Sequence, residues 1–230
     1  SIKESLKVYI NPIRRKWNKN LAFTKKENEK LKKSIKISNL KYLNYFGIGF
    51  KEELILQSKL LGFKRTQFNF WFYNIDEIIQ DKTIPKEKEN WIMIGHSGFP
   101  NGNHLDIFEN IDTKIKKDTK LIIPLSYGEE LYIKEVKIDS QKRNFNSTFL
   151  ESFISLEEYN NYLKKCNIAI FNNRRQQAIG NIISLIYFGC KVYLSERNTF
   201  YKFLKRNKIS IFSYDQLTAK SLHEPLPLSL

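Results

Sequence analysis

Cysteine is scarce: Cys166 and Cys190 are the only two in 230 residues. Two thiols cannot build a disulfide framework, and the chain reads as a product of a reducing compartment. No run of about 18 apolar residues occurs, so no segment suits a membrane-crossing helix. A charged stretch followed by an apolar one, the mark of a signal peptide, is also missing. The sequence starts at Ser1 without a Met, which fits either removal of the initiator or a longer parent chain. Acidic residues are outnumbered, 24 against 39 Lys+Arg, for a formal charge of +15. What the chain does have is core material, 41% hydrophobic and 14% aromatic residues, which excludes a disordered tail or a collagen-like chain.

The excess charge is concentrated. Residues 1–41 carry 13 Lys+Arg and 3 Asp+Glu. Such a block suits a nucleic-acid backbone, an anionic membrane surface or a diphosphate ligand. Lys, Asn and Ile are common along the whole chain, so compositional drift is the plainer alternative.

Early elements are short. Thr24 and Glu27 form a capping box ahead of a helix over Lys25–Ser34. A second helix from about Lys51 to Leu61 ends at Gly62, and Phe68–Tyr73 is strongly β-prone. These patterns predict an N-terminal region of short elements over 1–74 and a polar linker over 75–90. A regular C-terminal domain follows over 91–230. There, strand-like runs fall at Trp91–Ile94, Leu121–Leu125, Thr148–Leu150, Ile168–Phe171, Val192–Leu194 and Ile209–Phe212. Helical stretches separate most of them: His104–Lys117, Glu130–Gln141, Leu156–Cys166, Gln176–Phe188 and Phe200–Asn207. That alternation predicts an α/β fold, a doubly wound parallel sheet. Ligands in such sheets bind beyond the carboxyl ends of the strands.

Loops at those ends carry the candidates. Gly95-His96-Ser97-Gly98 follows the first strand, and Asn103-His104 opens the next helix. Glycines there let a backbone approach a ligand, and a helix start holds phosphate. Neither the dinucleotide fingerprint nor a Walker loop is present, and no acidic or Cys partner sits at metal-ligand spacing to the two His. Ser126 and Tyr127 suit a sugar or base contact, or a plain turn at Gly128. Arg174, Arg175, Gln176 and Gln177, with Gly180 and Asn181 in the predicted helix, form the most informative segment. Cations oppose the helix dipole at an N-terminus, so two arginines there point to an anionic ligand. Glu196 is a candidate for sugar hydroxyls, or an ordinary solvated carboxylate. Cys166 and Cys190 read as inert packing thiols, and Trp71 and Trp91 as core residues.

Taken together, Ile94-Gly-His-Ser-Gly98, Asn103-His104, Ile123-Pro-Leu-Ser-Tyr-Gly128 and Arg175-Gln-Gln-Ala-Ile-Gly180 resemble glycosyltransferase family 56, the TDP-N-acetylfucosamine:lipid II N-acetylfucosaminyltransferase family. The similarity runs from about Trp91 to Phe212, with a fainter one near Leu21–Phe46. Family loops tend to read G-N-S-G-D where this chain has His96 and Phe99, which removes an acid from that loop.

The resemblance implies a GT-B-like fold, with the doubly wound donor domain preceded by part of a second α/β domain. It implies transfer of a deoxy-amino sugar, of the 4-acetamido-4,6-dideoxygalactose kind, from a dTDP-sugar donor to a polyprenyl-diphosphate-linked saccharide, as in enterobacterial common antigen synthesis. No metal and no cofactor are implied, and the place implied is peripheral, on the cytoplasmic face of the bacterial inner membrane. On this reading Arg175, with Arg174, meets the diphosphate near the Gly95–Gly98 backbone. Gln176, Gln177 and Asn181 contact sugar or phosphate, and His104, then His96, serves as general acid/base. Arg14–Lys16 with Trp17 and the helix Lys25–Ser34 would face an anionic membrane rather than nucleic acid, since no DNA-recognition motif is found. A basic nucleic-acid-binding protein and a non-catalytic GT-B fragment remain the alternatives.

Overall fold

The structure is a computed structural model and describes residues 45–47, 49–62, 66–68, 74–224 and 226. The basic block, with Arg14–Trp17 and Lys25–Ser34, lies outside them, as does the β-prone run after Phe68. The chain divides into two units, Ser1–Phe72 and Tyr73–Leu230.

In the first unit, β1 (Tyr45–Gly47) and β2 (Thr66–Phe68) pair in parallel across α1 (Lys51–Leu61). The helix ends at Gly62, whose N–H donates to the Ser58 carbonyl at 3.0 Å. Glu52 and Glu53 sit in the first turn and Lys59 in the last, each matched to the end of the dipole it occupies.

The second unit opens with α2 (Ile75–Ile78), started by a reciprocal Asn74–Glu77 capping box. Its sheet comprises β3 (Glu89–Ile94), β4 (Lys120–Pro124), β5 (Asn146–Leu150), β6 (Cys166–Phe171), β7 (Lys191–Leu194) and β8 (Phe212–Ser213). All pairs are parallel, in the order β5-β4-β3-β6-β7-β8. The connecting helices are α3 (His104–Ile111), α4 (Glu130–Lys142), α5 (Leu156–Lys165), α6 (Ile179–Tyr187) and α7 (Thr199–Arg206), followed by α8 (Ala219–His223). Leu121–Ile123 and Ile168–Phe171 are buried on both faces, as central parallel strands require. Because the chain winds outward from β3 and then restarts at β6, right-handed crossovers carry α3 and α4 to one face and α5 to α7 to the other. The reversal leaves a crevice at the carboxyl ends of β3 and β6.

Four local readings change. Residues 75–90, expected as a linker, are fastened to the second unit: Ile79 is buried, Asn160 Nδ2 donates to the Ile78 carbonyl at 3.1 Å, and Lys88 Nζ to the Lys164 carbonyl at 2.7 Å. Helix α3 stops at Ile111 rather than Lys117; beyond it the chain turns, with the N–H groups of Lys114 and Ile115 both donating to the Ile111 carbonyl, at 2.8 and 3.1 Å. Ile209, expected in a strand, closes α7 by donating to the Leu204 carbonyl at 3.0 Å, after Lys208 turns left-handed at φ 58°. Finally, α6 begins at Ile179 and not Gln176, because Ala178 adopts φ 57° as its N-cap.

The loops after β3 and β4 touch through their glycines. Gly98 N–H donates to the Tyr127 carbonyl at 2.7 Å, and Glu129 N–H to the Gly98 carbonyl at 3.0 Å. A Cβ on Gly128, where φ is 149°, would lie 2.3 Å from the Gly98 carbonyl carbon. Backbone strain and backbone contact therefore act together at this position. Gly128→Ala is expected to destabilise the protein by about 1–3 kcal/mol or more, read as a lower midpoint in urea unfolding.

Candidate functional site

Two adjoining cavities open at the strand-order reversal. One, of about 350 Å³, reaches from His96 and Gln177 past the start of α6 to Ile78. The other, of about 290 Å³, lies over the ends of β4 and β5, between Ser126 and Phe153. Both are lined by His96, Tyr127, Leu156, Tyr159 and Asn181, so they form one continuous depression.

The loop after β6 is shaped by asparagines. Asn103 Nδ2 donates to the Asn172 carbonyl at 2.8 Å, joining the loops on either side of the crevice. Asn198 Nδ2 donates to the carbonyls of Asn173 at 3.0 Å and Arg175 at 2.8 Å, and Asn173 Nδ2 to Arg175 at 3.0 Å. Asn103, Asn172, Asn173 and Asn198 are all buried. With the carbonyls of Asn173 and Arg175 taken by asparagine side chains, and Ala178 left-handed beyond them, this stretch stays outside the following helix and α6 starts late. Arg174 and Arg175 therefore precede the helix rather than occupying its first turn.

That loop sends the two arginines apart. Arg175 is exposed, and its charge helps to depress the His96 pKa. Arg174 is half-buried near Asp106, Asp215 and Tyr214, outside the lining of both cavities, and burial together with Arg197 lowers its pKa. Its Nη1 is buried without a partner. Arg175 also lines neither cavity, but its charge reaches His96, which lines both, so of the expected pair of diphosphate ligands it is the one that acts on the cavities.

Ala178 provides no side-chain cap, and Gln177, Ala178, Ile179, Gly180 and Asn181 line the larger cavity. The first-turn amides of α6 are the orphan donors that an anion satisfies. Gly180 stands at the second position of the helix, in the lining of the larger cavity. Asn181 Nδ2 donates to the Tyr159 hydroxyl at 3.0 Å. Gln177 Oε1 is buried with no partner. Gln176 is half-buried and lines neither cavity, and Glu196 is exposed on the loop after β7, equally outside them.

The glycine-rich loop after β3 has a different role from the one expected. Gly95 N–H donates to the Ile170 carbonyl at 3.0 Å, and Gly98 N–H is committed to Tyr127, so neither amide is open to a diphosphate. A Cβ on Gly95 would fall 2.3 Å from His104 Nε2, and one on Gly98 2.3 Å from Ile133 Cγ1. These glycines admit protein side chains. Asn103, expected among the donor contacts, is the buried N-cap of α3 and ties the two loops together. Ser97 is buried too, its hydroxyl 3.3 Å from His96 Nε2.

His104 is displaced from the acid/base role. It is fully buried; its N–H donates to the Tyr132 hydroxyl at 3.0 Å, and Nδ1 lies 3.3 Å from the same oxygen. Burial and the nearby His96 push its pKa down to about 3, so it is a neutral packing residue. His96 lines both cavities and keeps a buried, unpartnered Nδ1. Burial, then Arg175, lowers its pKa to about 4. Among the described residues, no group of three or more His, Cys, Asp or Glu gathers as metal ligands would. Both cysteines are buried; burial raises the Cys166 pKa to about 12 and that of Cys190 well above its usual value.

Residues 63–225 match the family described as 4-alpha-L-fucosyltransferase, glycosyl transferase group 56. The chain belongs to glycosyltransferase family 56. Among solved structures, the family 56 chain aligns with the GtfA/B complex at a TM-score of 0.53 and 11% identity, over 81% of this chain and 38% of that one. The catalytic domain of cholesterol-alpha-glucosyltransferase from Helicobacter pylori aligns at 20% identity and a TM-score of 0.45, over 57% of this chain and 80% of that one. The fold of the family 56 chain is of the GT-B class.

Sequence reasoning passed over the loop after β5, which brings Phe153 to the second cavity. The signal was available: the strand-end rule applied to Leu150 would have singled out an aromatic ring just before the Ser155 helix cap. Asn172, Asn173 and Asn198 were likewise not assigned their positioning role.

The two histidines set an acid limit. Each has a folded-state pKa below its unfolded value of about 6.5, so the unfolded chain binds the extra protons. Their contribution is whole above about pH 6.5 and is lost as pH falls toward 4 for His96 and 3 for His104. The slope is about 1.4 kcal/mol per pH unit for each. Urea unfolding at pH 7.5, 6 and 5 is expected to show this decline, and His104→Gln to flatten it.

Proposed function

We propose that this family 56 glycosyltransferase moves a deoxy-amino sugar from a dTDP-sugar to a polyprenyl-diphosphate-linked saccharide. The observation that carries this reading is the uncapped start of α6, opening into the crevice beside Arg175. A nucleoside diphosphate leaving group needs such a place: helix amides and an arginine fork meet its charge together, with no divalent ion. The family match supports a sugar nucleotide as donor and a glycosyl acceptor. The choice of dTDP, of the deoxy-amino sugar and of the lipid-linked acceptor rests on the loop resemblance.

In the transfer, an acceptor hydroxyl oxygen forms a bond to C1 of the sugar, and the bond from C1 to the phosphate oxygen breaks. The diphosphate leaves with that electron pair, and the hydroxyl proton passes to a base. His96 is the imidazole that the cavities offer for the proton. Its low pKa in the empty site keeps it neutral, and an incoming diphosphate, being anionic, raises its basicity toward neutrality. On this reading the enzyme works at the cytoplasmic face of the inner membrane, where the basic block at residues 1–41 meets anionic lipid. Cosedimentation with phosphatidylglycerol vesicles but not neutral ones, weakened by neutralising Arg14, Arg15 and Lys16, is the outcome expected of that placement.

The donor site is tested directly by nucleotide binding. dTDP is expected to raise the melting temperature without added metal and equally in EDTA. Arg175→Ala is expected to lower dTDP affinity by about 1.5–3 kcal/mol in calorimetry. No response of the folded protein to millimolar dTDP or UDP removes the donor-site assignment.

A further inference from the structure

The second cavity differs chemically from the first. Its walls are apolar at Pro124, Leu150 and Ile154, with the hydroxyls of Ser126 and Ser152 beside them, and no Lys, Arg, Asp or Glu lines it. At its rim two aromatic rings stand nearly parallel: Tyr127 and Phe153, with centroids 6.2 Å apart and planes 4° from coplanar. Phe99 meets Tyr127 edge-on, at 6.0 Å and 67°. These rings are poorly buried. Phe153 is 81% exposed and Tyr127 44%, so the hydrophobic effect gains little from placing them here. An exposed aromatic cluster on the rim of a concave, partly apolar cavity marks a binding surface.

Position identifies what would bind. The neutral cavity continues into the one that holds the α6 start, through His96, Tyr127, Leu156, Tyr159 and Asn181. A ligand with its anionic part at α6 therefore carries its terminal group, one pentose away in a nucleotide, over β4 and β5. That group must be flat to suit parallel rings, uncharged to suit the lining, and edged with hydrogen-bonding atoms to suit the two serines. A nucleobase has all three properties, and stacking on aromatic rings is a main source of its affinity for proteins.

We infer that Tyr127 and Phe153 form the subsite for the base of the donor nucleotide, which lies parallel to their rings with its edge toward Ser126 and Ser152. This deepens the donor-site reading and rests on it. The loop over 151–155 thereby becomes a determinant of which nucleotide the enzyme accepts.

Calorimetry with dTDP and with inorganic pyrophosphate, on the full chain and its Phe153 variants, separates the two ideas. Phe153 is so exposed that its replacement leaves the core intact, and a melting curve of each variant verifies this. Phe153→Leu is expected to weaken dTDP roughly 5- to 150-fold, the range that loss of one base stack spans. Pyrophosphate affinity stays at the wild-type value, and Phe153→Tyr keeps dTDP affinity. If wild-type protein binds dTDP and Phe153→Leu binds it equally well, the base subsite is wrong while the donor site stands. Equal weakening of dTDP and pyrophosphate, or loss with Phe153→Tyr as well, overturns it too. If the wild type binds neither dTDP nor UDP, both readings fall.

Discussion

One hydrogen bond spans the crevice on which the site is built. Asn103 Nδ2 reaches the Asn172 carbonyl from the far side of the strand-order reversal, in a place sealed from water. At a reversal the loops leave paired strands toward opposite faces, and the ladder between β3 and β6 ends at the bond from Gly95 N–H to the Ile170 carbonyl. A buried amide donor left without its acceptor would incur a penalty of about 1–3 kcal/mol, so this bond fixes the loop separation firmly. Asn198 and Asn173 then continue the fastening to the Arg175 carbonyl. The arginine thus stands on a rigid base, although its own side chain reaches into solvent.

The same rigidity explains a division of labour between the glycine-rich and arginine-bearing loops. Gly95 and Gly98 spend their small size on His104, Ile133 and Gly128, and their amides on neighbouring carbonyls. They are foundations. Open donors occur instead where α6 starts, because left-handed Ala178 interrupts the chain just before the helix. Electrostatics follows this plan. His104 and His96 are kept neutral chiefly by burial, so neither brings a positive charge to the crevice.

Much of the sheet was legible because its strands are continuous apolar runs and its helices carry apolar stripes. Leu121–Ile123 and Ile168–Phe171 announce central strands by composition alone. The strand-end rule then led to His96, Tyr127, Gln177, Gly180 and Asn181, which line the cavities. Legibility failed where a residue's partner is distant in sequence. His104 looks like a catalytic histidine until Tyr132, Gly95 and Gly102 are seen to enclose it. Arg174 and Arg175 look equivalent until long-range asparagine bonds turn the backbone between them. Phe153 stands in a short polar stretch with no periodicity to mark it.

Helix α5 passes into β6 with no residue between Lys165 and Cys166. Such a splice has no slack. One residue inserted there would shift β6 by one pleat and turn Ile168 and Ile170 to the opposite side of the sheet. The loop over 151–155, at the other end of the same helix, is exposed at all but one position and ties down no strand register. An insertion therefore has an outlet at one end of α5 and a barrier at the other. Added length is absorbed beside the second cavity, while the junction between α5 and β6 leaves no room for it.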